Sequence, residues 1–354
     1  METYSKIKIY YFTGTGNSQT VARWVEKVAT EKKMDCGIIN IADIESFPVE
    51  NPEPGALLIF VSPVHGFNYP PVMLQFLSHF PKGKNKVILM NTRAGMLIGK
   101  WVTPGLSGIA FYLSAFILKS KGYSIQGMLP VDLPSNWMSL HPGLNKPTVL
   151  FLHEKMKAKV AAIAGKVLDG KKSFTALREI VQDLAVSPIS LLYYLIGRFV
   201  LAKTFYASAA CNNCGACIKK CPVKAIIWVD EKPFWKLTCE SCMRCMSNCP
   251  HKAIETAHGF IILVAVLFHL GILGLLNAFG ADFITSLNPL FYELIIQSVL
   301  FLGLLAICYR AMHLLKRFRW FEKMLVYTSL THYRFWGNRY RSLGVGGKGK
   351  AVSF

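Results

Sequence analysis

Residues 6–12, Lys-Ile-Lys-Ile-Tyr-Tyr-Phe, alternate charged and apolar side chains and then turn wholly apolar, which predicts a strand. Residues 13–18 predict a turn, and residues 19–30 a helix carrying Val21, Trp24, Val25 and Val28 on one face. Further strand-like segments lie at 37–41, 56–62, 87–92 and 124–131, separated by helical or loop segments. Residues 171–186 have helical spacing, Ser187-Pro188 predicts a break, and 189–205 form an apolar stretch interrupted by Arg198 and Lys203. Two longer apolar runs follow. Residues 259–280 carry no formal charge and 290–309 carry only Glu293, each near the ~20 residues that span a bilayer core. The short connection 281–289 predicts a helical hairpin that returns the chain to the side it left.

Composition strengthens the lipid reading. The chain has 354 residues, enough for two or three units. Its apolar fraction of 52% exceeds the about 45–50% of an ordinary soluble protein. Residues 310–350 hold ten Lys and Arg against one Glu, a net of +9 out of +20 for the chain. The positive-inside rule then places both hairpin flanks, and with them the preceding domains and both termini, on the cytoplasmic side of the inner membrane. The alternative, a hairpin buried in a soluble domain, requires covering two long apolar runs in a small unit. Residues 189–205 are short for a span and are expected to lie in the interface, Arg198 and Lys203 snorkelling to headgroups; a core helix between neighbouring domains is the alternative. Residues 310–343 interleave Arg and Lys with Phe, Trp and Tyr. Beside a membrane helix this pattern favours anionic lipid headgroups over nucleic acid as the partner. The glycine- and lysine-rich tail 344–354 is expected to be disordered.

The chemistry is carried by cysteine. Cys211, Cys214, Cys217 and Cys221, the last followed by Pro222, recur 28 residues later as Cys239, Cys242, Cys245 and Cys249, followed by Pro250. Each half reads C-x2-C-x2-C-x3-C-P, the bacterial ferredoxin run in which three thiolates hold one 4Fe-4S cube and the fourth reaches the other. Crossed ligation assigns Cys211, Cys214, Cys217 and Cys249 to one cluster, and Cys239, Cys242, Cys245 and Cys221 to the second. The flanking Pro-Val-Lys-Ala-Ile and Pro-His-Lys-Ala-Ile segments point to an internal duplication. Zinc favours four ligands in two separated pairs, and disulfides need an oxidising compartment that no opening secretory signal indicates. Cys36 and Cys308 stand outside the pattern and are expected to be buried small hydrophobes. Trp228 and Trp235 are expected to pack.

The turn at residues 13–18 has no lysine but offers the hydroxyls of Thr13, Thr15 and Ser18 and the amide of Asn17, with Gly14 and Gly16 between them. A triphosphate loop needs its lysine, whereas a phosphate monoester can be held by backbone N–H groups, hydroxyls and a helix N-terminus. With this T-G-T-G-N-S loop after the first strand, residues 1–170 resemble the flavodoxin family. The resemblance implies an α/β fold with a doubly wound, parallel five-stranded sheet that binds FMN beyond the carboxyl ends of its strands. It nominates Ser62, His65, Gly66, Phe67 and Asn68 after the third strand, and Thr92, Arg93, Ala94 and Gly95 after the fourth, as flavin neighbours. Two departures stand out. The tryptophan and tyrosine that often sandwich the ring in flavodoxins are missing from these loops, leaving Phe67 or His65 to substitute. The segment is also basic, with 18 Lys and Arg against 11 Asp and Glu, where the family is usually acidic.

The succession of domains resembles the EFR1-type flavodoxin-ferredoxin fusion family, and the segment 133–138, Leu-Pro-Ser-Asn-Trp-Met, matches a recurring loop of that family near the flavin. The expected organisation is a flavodoxin-like domain at 1–170, a helical linker at 171–206, a two-cluster α+β ferredoxin domain at 207–258, a transmembrane hairpin at 259–310 and a basic aromatic tail at 311–354. Nine residues separate Cys249 from Gly259, which keeps its cluster within roughly 35 Å of the membrane. No dinucleotide fingerprint follows, so a pyridine nucleotide is not expected as direct donor. The expected function is a membrane-anchored flavin and iron-sulfur oxidoreductase, fed by a soluble ferredoxin or flavodoxin and reducing a quinone or isoprenoid lipid. A relay subunit feeding a partner reductase, and a tethered redox sensor, are the alternatives. His269 and Glu293 are the internal ionisable groups of the two runs, with helix-helix polar contact as their other explanation.

Overall fold

The computed structural model describes residue 4 and residues 6–44, 50–99, 101–135, 137–274 and 295–336. The described residues fall into two compact units: the chain to Trp137 with Gly143–Leu192, and Met138–Pro142 with the chain from Tyr193 to residue 336.

The first unit contains β1 (Lys6–Tyr11), β2 (Asp35–Asn40), β3 (Leu57–Pro63), β4 (Lys86–Ile98), β5 (Trp101–Thr103) and β6 (Ser124–Pro134). Five of these pair in parallel in the order β2-β1-β3-β4-β6, and β5 folds back antiparallel on the far end of β4. With the β5 flap set aside, this is the doubly wound flavodoxin order expected from the sequence. Helices α1 (Asn17–Glu31) and α4 (Lys146–Leu168) pack together on one face, α2 (Pro71–His79) and α3 (Ala110–Ser120) on the other. Strand alternation sends Ile7, Ile9 and Tyr11 toward Val21, Val25, Met156 and Val160. It sends Tyr10 the other way, stacked on Phe60 at 5.5 Å with Phe80 edge-on at 5.3 Å.

On α4, His153 is buried edge-on to Trp24, and burial pulls its imidazole from 6.5 down to about 4. Its folded state therefore takes a proton less readily than its unfolded state. Above 6.5 the group leaves stability unchanged; between 6.5 and about 4 stability falls with pH, by about 3 kcal/mol in all. H153F should flatten that part of a stability-pH curve from urea unfolding, and an unchanged slope would contradict this origin.

Two expected boundaries shift. Strands β4 and β6 run past Thr92 and Val131, with Arg93, Ala94 and Gly95 paired to Asp132, Leu133 and Pro134. The polar positions continue the ladder because Arg93 and Asp132 neutralise each other inside it. The break expected at Ser187-Pro188 is absent: α5 (Ile180–Leu192) passes through Pro188. The Ser187 hydroxyl donates to the Asp183 carbonyl at 2.8 Å, and π-turns at Tyr193–Gly197 lead on to α6 (Arg198–Ala202). The helical stretch Thr175–Ala202 is thus 28 residues long, which removes the premise that its apolar part is too short to span.

The second unit contains β7 (Phe205–Ala207) paired antiparallel with β10 (Ile254–Thr256), and a hairpin of β8 (Ile226–Val229) and β9 (Lys232–Trp235). Short helices α7 (Ala216–Lys219) and α8 (Arg244–Ser247) lie within the two cysteine runs and carry Cys217 and Cys245. Beyond them come α9 (His258–Val266), continuing in π-turns to Leu273, then α10 (Gln297–Leu315) and α11 (Arg319–Tyr327). One hydrophobic core joins Tyr206 and Ala257 to Phe260 and Val264 of α9, Leu305, Tyr309 and Met312 of α10, and Leu325 of α11. The Tyr309 hydroxyl donates to the Phe205 carbonyl at 2.8 Å and accepts the Trp235 N–H at 3.4 Å. The second apolar run is therefore displaced from its expected limits: its helix continues to Leu315, and its last third is ferredoxin core.

Thr175–Ala202 and Gln297–Leu315 are long and apolar enough to cross a membrane by length and composition, a test that the core helix of a soluble protein also passes. Ile262 and Leu270 after β10, and Val299 and Ile307 on α10, face outward. His269 is exposed and edge-on to Phe268. The rest of the first run, the connection 281–289, Glu293 and the tail 344–354 lie outside the described residues.

Candidate cofactor sites

The two cysteine runs repeat in backbone conformation as well as in sequence. Left-handed residues occur in pairs 28 apart: Asn213 with Ser241, Gly215 with Met243, and Lys224 with Lys252. Gly215 and Met243 open α7 and α8, so the second copy places a methionine where the conformation favours glycine. The thiol environments repeat too, with the Ala225 N–H donating to Cys221 Sγ at 3.2 Å and the Ala253 N–H to Cys249 Sγ at 3.3 Å.

This geometry gathers the thiols across the runs. Cys211, Cys214 and Cys217 line a hollow of about 330 Å³ together with Cys249, and Cys239, Cys242 and Cys245 line one of about 310 Å³ together with Cys221. In each case the four thiols line one hollow. That arrangement suits a cube of several irons. Burial pushes the Cys217 thiol up to about 11 and the Cys242 thiol to about 12, and raises Cys239 and Cys245 as well. Such thiols keep their protons until a metal replaces them. Cys36 and Cys308, outside both sets, are half-buried.

In the first unit, the loop at residues 13–18 joins β1 to α1. Gly16 holds φ at 113°, a value open to glycine, and its N–H donates to Thr13 Oγ1 at 2.9 Å. The head of α1 has no side-chain cap and no acidic residue in its first turn, which leaves its N–H groups available to an anion. Asn17 donates to the Pro134 carbonyl at 2.9 Å, and Ser18 and Thr92 share a hydroxyl hydrogen bond of the same length. The loop is thereby fixed to the middle of β4 and to the carboxyl end of β6. Thr13, Thr15 and Ser18 are buried among these contacts, with Gly14 between the threonines.

After β3 and the buried Ser62, a two-residue turn brings His65 and Asn68 face to face, with both central residues, Gly66 and Phe67, left-handed as in a type I′ turn. The turn is braced from behind: the Ile109 N–H donates to the Phe67 carbonyl, and a Cβ at Gly108 would stand 2.3 Å from that oxygen. His65 stacks on Trp137, ring centroids 5.8 Å apart. A tryptophan thus reaches this end of the sheet from beyond β6, through the loop that the sequence had singled out for the fusion family.

Arg93 takes a different position from a side chain facing a ligand. Its guanidinium is buried, donating to Asp132 at 2.7 Å, to the Ser107 hydroxyl at 3.1 Å and to both oxygens of Glu179. The Arg93 side chain is therefore taken up by the fold, and the backbone of Thr92, Arg93, Ala94 and Gly95 continues the β4–β6 ladder. Asp183 on α5 accepts the N–H groups of Ser107 and Gly108 ahead of α3, and burial raises its carboxyl. Glu179 and Asp183 went unrecognised in the sequence, where they fall in the segment expected to be a helical linker.

Comparison with known proteins bears on each half separately. Residues 210–254 match the family model of the 4Fe-4S dicluster domain. Among solved structures, flavodoxin 1 of Bacillus cereus is 17% identical with a TM-score of 0.31, covering 45% of this chain and 98% of that one. A flavodoxin from the domain Archaea gives 16% and 0.29, covering 46% and 99%. General stress protein 14 of Treponema denticola, solved in complex with FMN, gives 13% and 0.31, covering 47% and 98%. The fold assignment stands on strand order and not on these low scores. No curated protein matches the chain.

Proposed function

We propose, from the joining of a flavodoxin-like domain to a 4Fe-4S dicluster domain in one electron-transfer chain, a membrane-anchored oxidoreductase carrying FMN and two clusters. It belongs by this reading to the flavodoxin-ferredoxin fusion family. The observation that carries the reading is the grouping of eight cysteines into two crossed sets, in a unit whose core also holds parts of two apolar helices.

Each residue then has a role. The uncapped head of α1, with Thr13, Thr15, Asn17 and Ser18, would hold the FMN phosphate by N–H groups and hydroxyls. The rigid turn at His65, Gly66, Phe67 and Asn68, the backbone of residues 92–95, and Trp137 would border the ring. FMN, when bound, exchanges electrons singly or in pairs, which suits conversion between one-electron carriers and a two-electron acceptor. The thiol sets hold one-electron centres. The chain's net charge of +20 favours encounter with an acidic soluble ferredoxin or flavodoxin as donor. A quinone or isoprenoid lipid at the membrane face is the acceptor.

Anaerobic purification in mild detergent tests this directly. The protein should sediment with membranes after a high-salt wash and carry FMN with about eight iron atoms per chain. Release by salt removes the anchor from the proposal, and absence of flavin or iron removes the corresponding cofactor. Dithionite-driven turnover of a quinone or isoprenoid without added protein supports the enzyme, whereas oxidation that needs a second protein converts it to a relay.

A further inference from the structure

Lys203 is only 6% exposed, no carboxylate forms a salt bridge with it among the described residues, and the Cys239 sulfur lies within electrostatic reach. Its ammonium donates to the Trp235 carbonyl at 2.7 Å and sits over the rings of Phe234 and Tyr309, each centroid 4.6 Å away. A carbonyl and two aromatic faces offset part of the cost of burying a cation, but they supply no full negative charge. Buried charges are found paired, or they neutralise. Some anion is needed here.

That anion is implied next door. Trp235 and Phe205, tilted against each other at 6.0 Å, both line the hollow ringed by Cys221, Cys239, Cys242 and Cys245. Glu240 and Arg244 also line it, one of each sign, so their formal charges cancel in the sum over the lining. A cube held by four thiolates is net negative when oxidised and more negative when reduced. In a weakly screened interior a neighbouring ammonium stabilises the reduced form more.

We propose that Lys203 is the built-in counter-ion of the cluster held by Cys221, Cys239, Cys242 and Cys245, and raises that cluster's reduction potential. In the step concerned, one electron enters the cube, its charge becomes more negative by one, and the ammonium keeps its proton. Lys203 is bonded to the backbone of Trp235, which with Phe205 lines the hollow, and it acts across that layer. The inference depends on the two-cluster reading.

The test is a reductive titration of the full-length, cluster-loaded protein in detergent, followed by electron paramagnetic resonance. K203M should move one of the two midpoint potentials to more negative values and leave the other in place, while K203R, which keeps the charge, should restore the wild-type pair. Unmoved potentials in K203M at full iron content overturn the proposal, as does an equal shift in K203R. If K203M fails to assemble, K203Q keeps a donor for the Trp235 carbonyl without the charge and is read in the same way. Loss of iron by both neutral variants with retention by K203R supports the counter-ion role, and loss by all three overturns it. Wild-type protein without iron would sink the cluster reading itself, a result distinct from each of these.

Discussion

The double variant C211A/C249A is expected to retain about four of about eight iron atoms per chain, with the surviving signal that of the cluster on Cys221, Cys239, Cys242 and Cys245. Sequence order alone suggests otherwise, because Cys249 closes the second run. If each run held its own cube, these two replacements would strike both clusters and leave almost no iron. In the fold, Cys249 lines the hollow of Cys211, Cys214 and Cys217, so both replacements fall on one centre. Iron analysis of anaerobically prepared protein decides between the two. The single variant C211A provides the benchmark: it should also keep about four iron atoms, and near-complete loss from the double variant against that benchmark would refute crossed ligation.

R93A is expected to destabilise the flavodoxin-like unit by about 3–5 kcal/mol, measured by urea unfolding of the full-length protein in detergent. The Arg93 side chain is 1% exposed, and the side chains of its partners Asp132 and Glu179 are 6% and 22% exposed. Truncation leaves their charges without the guanidinium and strands the Ser107 hydroxyl. R93K keeps the charge but cannot supply the forked donors that reach Asp132, Ser107 and Glu179 together, so it should recover only part of the loss. A loss below ~1 kcal/mol for R93A would mean that solvent replaces the network.

These two sites also mark what the sequence could and could not disclose. Cysteine spacing was legible because ligand reach around a cube dictates it. The parallel strands were legible because burial on both faces imposes apolar runs, and the loop at residues 13–18 because a left-handed turn at a helix head needs glycine. Arg93 misled because its partner Glu179 lies 86 residues away, a pairing that no local pattern encodes. The end of β4 was missed for the same reason, since a polar residue continues a buried strand only when a distant carboxylate meets it. Pro188 misled in the opposite direction: proline is expected to end a helix, but α5 carries it inside and runs on to Leu192. Met243 sits in a left-handed conformation that residue preference would have ruled out, imposed by the repeat of the cysteine run. The long apolar run ending at Tyr309 was read by composition, which cannot separate an outer surface from a face sealed in a core.

Strand β10 passes into α9 across Ala257 alone, and Ala257 is itself completely buried. The stretch from Cys249 to Gly259, which as bare chain would be a leash with a range of lengths, is instead a fitted joint. Electron tunnelling weakens steeply with separation, so a leash would give a spread of rates dominated by rare close approaches. For electrons passing from that cluster toward the membrane, as proposed, a joint narrows the spread of separations, and adjusting it requires rebuilding a folded contact, which loop insertion could not do.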